Sequence, residues 1–254
     1  MILALDIGNT NITIGVYDKK KLLFVSRMAT NCSRVEDQYA LELSGILEMY
    51  GISPVDMEGA AISSVVPPLT DSIIRAVQKL TNVNPICVGS DTKTDIKIQI
   101  QHPETAGADL ITGCVAVAEM FAAPCIVLDM GTATTLVVLN RDKCMVGGAI
   151  LPGVGISLDA LTRCTAQLPC IRLDAPKRVI GQNTVECMQS GVLLGAACMV
   201  DGMIDRMEEE LGEPCEVVAT GGLSAQIIPL CRRKIHFSDT LLLEGLRIIY
   251  EKNQ

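Results

Sequence analysis

Two segments of this chain read alike: Asp6-Ile7-Gly8-Asn9-Thr10-Asn11 and Asp129-Met130-Gly131-Thr132-Ala133-Thr134-Thr135. Each follows a short apolar run, Ile2-Leu3-Ala4-Leu5 in the first case and Ile126-Val127-Leu128 in the second. Each therefore sets a carboxylate at the end of an expected strand, then a glycine turn, then hydroxyl and amide side chains. A nucleotide's phosphates and their metal need such a set. Glycine lets backbone N–H groups approach phosphate oxygens, threonine adds a donor, and aspartate meets Mg²⁺ directly or through water. One Asp-x-Gly alone is also an ordinary turn. Two copies, one opening each half, imply a duplicated α/β fold that clamps ATP between related halves.

The rest of the pattern repeats in step. Strands are expected at Ile2–Asp6, Ile12–Tyr17 and Leu22–Arg27, a meander whose first turn is the phosphate-type loop. A helix over Val35–Tyr50 follows, with Tyr39, Leu43, Leu47 and Tyr50 on one face and Gly51 closing it. Gly59–Val66 reads as a buried strand stopped by Pro67-Pro68. Leu69, Ile73, Val77 and Leu80 mark a second helix, and Pro85–Val88 a short strand. Ala108–Ala122 reads as a linking helix. The second half then gives a strand ending at Asp129, strands at Thr134–Asn140 and Lys143–Ile150, and helices at Ile156–Cys164, Thr184–Leu211 and Thr240–Lys252. Another strand is expected at Glu216–Ala219. Two rounds of three strands, each followed by alternating helices and strands, imply two duplicated ribonuclease H-like domains with a nucleotide cleft between them. The expected domains are residues 1–118 and 119–254.

Composition narrows the partners. Apolar residues make up 49% of the chain and charged residues 20%, enough for a substantial core. With four Tyr, three Phe and no Trp, the chain lacks the aromatic platforms that stack single-stranded bases. The net charge of −8, with Lys19-Lys20-Lys21 and Arg232-Arg233-Lys234 as its longest basic runs, argues against nucleic acid as a partner. Small anions remain accessible to backbone N–H groups and metal ions. Eleven cysteines without a C-x-x-C pair, beside two histidines, do not suggest structural zinc. They read as reduced, buried thiols acting as small hydrophobes. No basic start precedes the first apolar run and no uncharged apolar stretch reaches membrane-spanning length, so the expectation is a cytoplasmic protein with no membrane partner.

Between and after the loops come His102-Pro103-Glu104-Thr105-Ala106-Gly107-Ala108-Asp109, Gly147-Gly148-Ala149-Ile150-Leu151-Pro152-Gly153, Ile180-Gly181-Gln182-Asn183-Thr184, Gln189-Ser190-Gly191, Thr220-Gly221-Gly222 and Leu242-Leu243-Glu244-Gly245-Leu246. In this order they closely resemble the type III pantothenate kinases, from the first strand to the last helix. The resemblance implies the acetate and sugar kinase/Hsp70/actin fold, a homodimer, and ATP-dependent phosphorylation of pantothenate to 4'-phosphopantothenate, the first step toward coenzyme A. It also implies Mg²⁺ and a monovalent cation, K⁺ or NH₄⁺, as cofactors.

Carried over by position, Asp6, Ile7, Gly8, Asn9, Thr10, Asn11, Ile12 and Thr13 hold the ATP phosphates, with Asp6 acting on Mg²⁺ through water. Thr132 is the second loop's phosphate threonine, and Asp129 the monovalent-cation ligand. Asp109 is the general base. Ile100, Gly107, Ala108, Asp109, Leu110 and Thr184 line the pantothenate site, Thr184 reaching into the partner subunit's pocket across the dimer interface. From local sequence alone, Asp109 and Thr184 also fit as helix caps, the former with a macrodipole role as well. His102 reads as surface structure, and Lys19-Lys20-Lys21 as a solvated turn.

The chain departs from the family pattern on the acceptor side. Leu110 stands where members carry Arg, and Ile100 where they usually carry Tyr. Leucine cannot replace the fixed fork of donors that arginine offers an anion. Three readings follow: a pantothenate kinase with a rebuilt pocket, a kinase for a different hydroxyl acceptor, or a catalytically weak paralogue that binds ATP or pantothenate as a regulator. The first is the reading the ordered motifs favour.

Overall fold

A computed structural model describes residues 1–89 and 91–254. The chain forms two compact units: Met1–Ile96 with Gln101–Glu119 and Thr240–Gln254, and Lys97–Ile100 with Met120–Asp239. The linear division at 118/119 therefore does not describe the last segment. Thr240–Gln254 packs with the first unit, because its apolar side chains are buried there.

In the first unit, β1 (Ile2–Ile7), β2 (Asn11–Asp18) and β3 (Lys21–Ala29) form the expected antiparallel meander. Strands β4 (Gly59–Ser64) and β5 (Ile86–Cys87) add in parallel on the other side of β1, giving the order β3-β2-β1-β4-β5. Strand alternation sends Leu3, Leu5 and Ile7 to one face with Ile12, Ile14 and Val16. Against them pack Tyr39, Leu43 and Leu47 of α1 (Glu36–Met49) and Leu69, Ile73 and Val77 of α2 (Pro67–Thr81). Helix α2 starts on the two prolines and ends at Asn82, in the left-handed conformation. Tyr50, expected on the buried stripe of α1, lies past its end, 46% exposed and stacked on Phe24 at 3.9 Å.

Residues Ala108–Met120 form α3, and Leu241–Lys252 form α8. Helix α8 packs on β1, β2 and β4. Its approach to α3 requires glycine: a Cβ on Gly245 would stand 2.2 Å from the Thr112 carbonyl oxygen.

In the second unit, β7 (Cys125–Met130), β8 (Ala133–Leu139) and β9 (Cys144–Pro152) repeat the meander. Strands β10 (Glu216–Thr220) and β11 (His236–Phe237) repeat the parallel additions on β7. The order β11-β10-β7-β8-β9 reproduces the first sheet, and β6 (Lys97–Ile98) extends it beyond β9. Two-residue strands such as β6 and β11 are too short for periodicity to reveal, and β6 emerges from what reads as a polar loop. The duplicated ribonuclease H-like fold is thus present in both halves.

The second core joins Ile126, Leu128 and Leu136 to Val192, Leu193, Ala197, Val200 and Ile204. The last five come from a continuous helical stretch: α5 (Thr184–Gln189), a π turn (Ser190–Leu194) and α6 (Gly195–Leu211). This 28-residue stretch is long and apolar enough by composition to cross a membrane, but half of its most apolar window is buried against the protein's own sheet. The remaining helices are α4 (Val154–Cys164) and α7 (Ser224–Ile227).

All eleven cysteines are free thiols. Only Cys114, Cys125 and Cys144 are buried, while Cys32, Cys87, Cys164, Cys170, Cys187 and Cys198 are exposed, against the expectation of buried thiols. Cys198 shows why: its run Ala196-Ala197-Cys198-Met199-Val200 is helical, so Ala197 and Val200 turn inward and Cys198 turns outward.

Candidate functional site

The first loop is a tight connection between β1 and β2. The Gly8 N–H donates to the Asn11 carbonyl at 3.0 Å. Thr30, just past β3, grips the loop twice. Its N–H donates to the Thr10 carbonyl at 3.0 Å and its hydroxyl to the Gly8 carbonyl at 2.6 Å. A side chain at Gly8 would press on the Asn11 carbonyl, 3.1 Å from an added Cβ. Ile7 and Ile12 anchor the hairpin in the core, and Asn9, Thr10 and Asn11 are exposed at its tip. Asp6 and Thr13, paired across the hairpin, are half-buried. The apolar residues thus fix the loop from within, while Asn9, Thr10 and Asn11 reach the surface at its tip. Nothing in the local sequence marked Thr30 as part of this arrangement.

The second loop is built from three segments of its own unit. Asp129 is the last residue but one of β7, half-buried, close to exposed Gly131 and Thr132. Gly153, after β9, fits because an added Cβ would lie 2.1 Å from the Thr132 carbonyl oxygen. Gly221, after β10, has φ +97°, and an added Cβ would meet Met130 C at 2.5 Å and Asp129 Oδ1 at 2.7 Å. Gly131 faces the same carboxylate oxygen at 3.5 Å from an added Cβ. The Asp129 carboxylate therefore sits in a cradle of bare backbone where carbonyl oxygens come close. The glycines at 153 and 221, conspicuous in the sequence only as motif members, are what shape it.

Asp109 is the second residue of α3, in its first turn. It is not a cap by side-chain geometry: its Oδ1 accepts from the next N–H, that of Leu110, at 2.8 Å. An N-cap would accept from a position two or three residues further on. Gly107 makes room for the carboxylate, since an added Cβ would stand 2.5 Å from Asp109 Oδ1. Burial raises the Asp109 pKa above its ordinary value, with the backbone hydrogen bonds from Leu110 and from Asp109 itself pulling the other way. Leu110 is half-buried, its Cγ 3.6 Å from the same Gly107 position, and Ala108 is buried. All four residues from Gly107 to Leu110 belong to the first unit, as does the first loop.

Ile100, Asp129, Thr132 and Thr184 belong to the second unit. Ile100 is half-buried just after β6. Thr184 is exposed at the first residue of α5, and the cap is its neighbour. Asn183 Oδ1 accepts from the Glu186 N–H at 2.9 Å, and Glu186 Oε2 accepts from the Gln182 N–H at 2.9 Å. The capping partner is thus Glu186, and the cap is Asn183 rather than Thr184. His102 is exposed and pairs with Glu104 at 3.3 Å, in keeping with a surface role.

Among the described residues, no group of three His, Cys, Asp or Glu side chains could hold a metal alone. The Asp129 cradle suits a monovalent cation bound by carboxylate and carbonyl oxygens.

A family model described as type III pantothenate kinase matches residues 2–206. A type III pantothenate kinase of Roseiflexus sp. is 44% identical over 254 residues, covering 100% of both chains. One from Halalkalibacterium halodurans is 40% identical over the same span and coverage. Among solved structures, component A of (R)-2-hydroxyglutaryl-CoA dehydratase from Acidaminococcus fermentans superposes with a TM-score of 0.59 at 13% identity, covering 100% of this chain and 99% of that one. The ethanolamine utilization protein EutJ from Carboxydothermus hydrogenoformans gives 0.56 at 12% identity, covering 97% and 89%. At these identities the two structures speak for the fold alone.

Proposed function

The chain belongs to the type III pantothenate kinase family and is an ATP-dependent phosphotransferase that converts pantothenate to its 4'-phosphate, and we propose that Asp109 is its general base. The observation that carries this role is the desolvated carboxylate at the head of α3, folded back over Gly107. As the acceptor hydroxyl oxygen bonds to the γ-phosphorus and the bond to ADP breaks, its proton passes to Asp109. A base whose pKa is raised toward working pH is better matched to that transfer, worth typically about 10²–10⁴-fold in rate.

The two loops supply position and charge stabilisation, which phosphoryl transfer chiefly requires. The first loop, Asp6 to Thr13, holds the phosphates of ATP, with Thr132 from the second. Asp6 would hold Mg²⁺ through water, and the ion would supply charge neutralisation at the phosphates. Asp129, in its glycine cradle, would hold the monovalent cation. Gly107, Ala108, Leu110, Ile100 and Thr184 form the acceptor site, and the Thr184 hydroxyl, released from capping by Asn183, serves the partner subunit's site in a homodimer. Support for the dimer comes from the second unit, where Ile150, Val179 and Ile180 are 76%, 74% and 82% exposed.

A coupled assay with pantothenate, ATP, Mg²⁺ and K⁺, against a control lacking pantothenate, tests the reading. Pantothenate-dependent ADP release is expected. ATP binding without pantothenate-dependent turnover would overturn it and favour a different acceptor or a regulatory protein. Leu110 makes a different hydroxyl acceptor the second reading, because a half-buried leucine offers an anion no donor. Leu110→Arg is expected to lower the KM for pantothenate, and an unchanged or higher value would count against this view of the pocket.

A further inference from the structure

The two loop aspartates stand in matching rows of side chains. Asp6 on β1 is in register with Thr13 of β2 on one side and with Ser63 of β4 on the other. Asp129 on β7 is in register with Thr135 of β8 and Thr220 of β10. Residues in register on neighbouring strands share a face of the sheet. Each carboxylate is therefore flanked by a hydroxyl on both sides. In both rows the hairpin-side threonine is half-buried, while the residue on the parallel strand is buried, Ser63 at 0% and Thr220 at 3% exposure.

Ser63 carries an anomaly: its hydroxyl is fully buried yet makes no hydrogen bond among the described residues. Its neighbour Ser64, on the opposite face, bonds Thr70 at 2.7 Å. Small apolar residues suit this strand, since Ala60 and Ala61 occupy it fully buried. A buried hydroxyl without a partner is unfavourable where alanine would fit. Its place beside Asp6, repeated by Thr220 beside Asp129, gives it a use.

We propose that Ser63 is a positioning residue for Asp6. In the loaded site its hydroxyl donates to the Asp6 carboxylate, or to a water touching it, and holds that carboxylate in the orientation that meets the metal of ATP. The proposal rests on Asp6 as the residue that meets this metal.

The test is calorimetric ATP binding in Mg²⁺ and in EDTA, without pantothenate, together with thermal melting. Ser63→Ala should melt at or above the wild-type temperature, because it removes an unpartnered hydroxyl. It should lose about tenfold of the affinity that Mg²⁺ adds, the usual scale for residues that orient a metal ligand, while binding in EDTA stays unchanged. Ser63→Cys, close in shape but a weak donor, should lose Mg²⁺-dependent affinity in the same way even if the alanine variant folds poorly. Wild-type Mg²⁺ dependence in a folded alanine or cysteine variant would overturn the proposal. Asp6→Asn separates the two claims. If it abolishes the Mg²⁺ effect while the Ser63 variants do not, only the role of Ser63 fails. If Asp6→Asn keeps the effect, the reading of Asp6 fails, and that of Ser63 with it.

Discussion

At the scale of single residues, burial pushes the Asp109 pKa up from its ordinary value. A general base must be ionised, so kcat/KM is expected to fall with pH through this raised value, earlier than an exposed aspartate would dictate. Asp109→Asn is expected to abolish turnover and leave ATP binding intact, and normal turnover in that variant would remove the base assignment. The same substitution bears on stability. Because the folded pKa lies above the unfolded one, the ionised carboxylate costs stability in full above the folded value and nothing below the unfolded value. Melting curves should show the asparagine variant gaining stability at neutral pH, with the gain vanishing as pH drops below the ordinary carboxylate range. Gly221 makes a sharper demand. With φ +97° and Met130 C 2.5 Å from an added Cβ, Gly221→Ala suffers both backbone strain and overpacking. Denaturant titration should show a loss of about 2 kcal/mol or more.

At the scale of elements, the head of α5 sets a capping residue beside the threonine we propose for the acceptor site. Asn183 is the cap and Thr184 is not. Asn183→Ala is expected to cost about 1 kcal/mol in denaturant unfolding. Thr184→Ala should leave stability within about 0.5 kcal/mol, as for surface positions, yet raise the KM for pantothenate. Equal stability losses at both positions would return the capping role to Thr184. At the other end of the chain, α8 crosses α3 at Gly245 and Thr112, one turn beyond Asp109. Any side chain at Gly245 must push the helix that carries Asp109. Gly245→Ala is therefore expected to lower kcat as well as stability.

At the scale of the whole molecule, each unit repeats one sheet order and one loop, and the copies have been shaped to different ends. In the first unit, threonine from past β3 fastens the loop through its carbonyls. In the second, two glycines bring backbone against the carboxylate. One supersecondary unit is thus finished in two ways, by a side-chain clasp in one copy and by bare backbone in the other. The exposed Ile150, Val179 and Ile180 belong to the second unit, where we place the partner subunit. Analytical ultracentrifugation should find a dimer. Val179→Asp with Ile180→Asp should yield a monomer with a raised KM for pantothenate, and an unchanged dimer would move the interface elsewhere.

The sequence alone determined the duplication, because alternation and helical spacing are local properties of the chain and both halves carry them strongly. The meanders, α1, α2 and the strands bearing Asp6 and Asp129 follow from residues within a few positions of one another. Tertiary structure decided what depends on distant partners. Strands β6 and β11 owe their existence to the neighbours they pair with, and α8 joins the first unit because its apolar face is buried there. Six cysteines that read as apolar filler face outward, since an apolar run does not say which side of a helix meets the core. Ser63 passed for an ordinary residue of a buried strand until the parallel register of β1 and β4 set it beside Asp6. Register is a relation between strands far apart in the chain, and no local pattern encodes it.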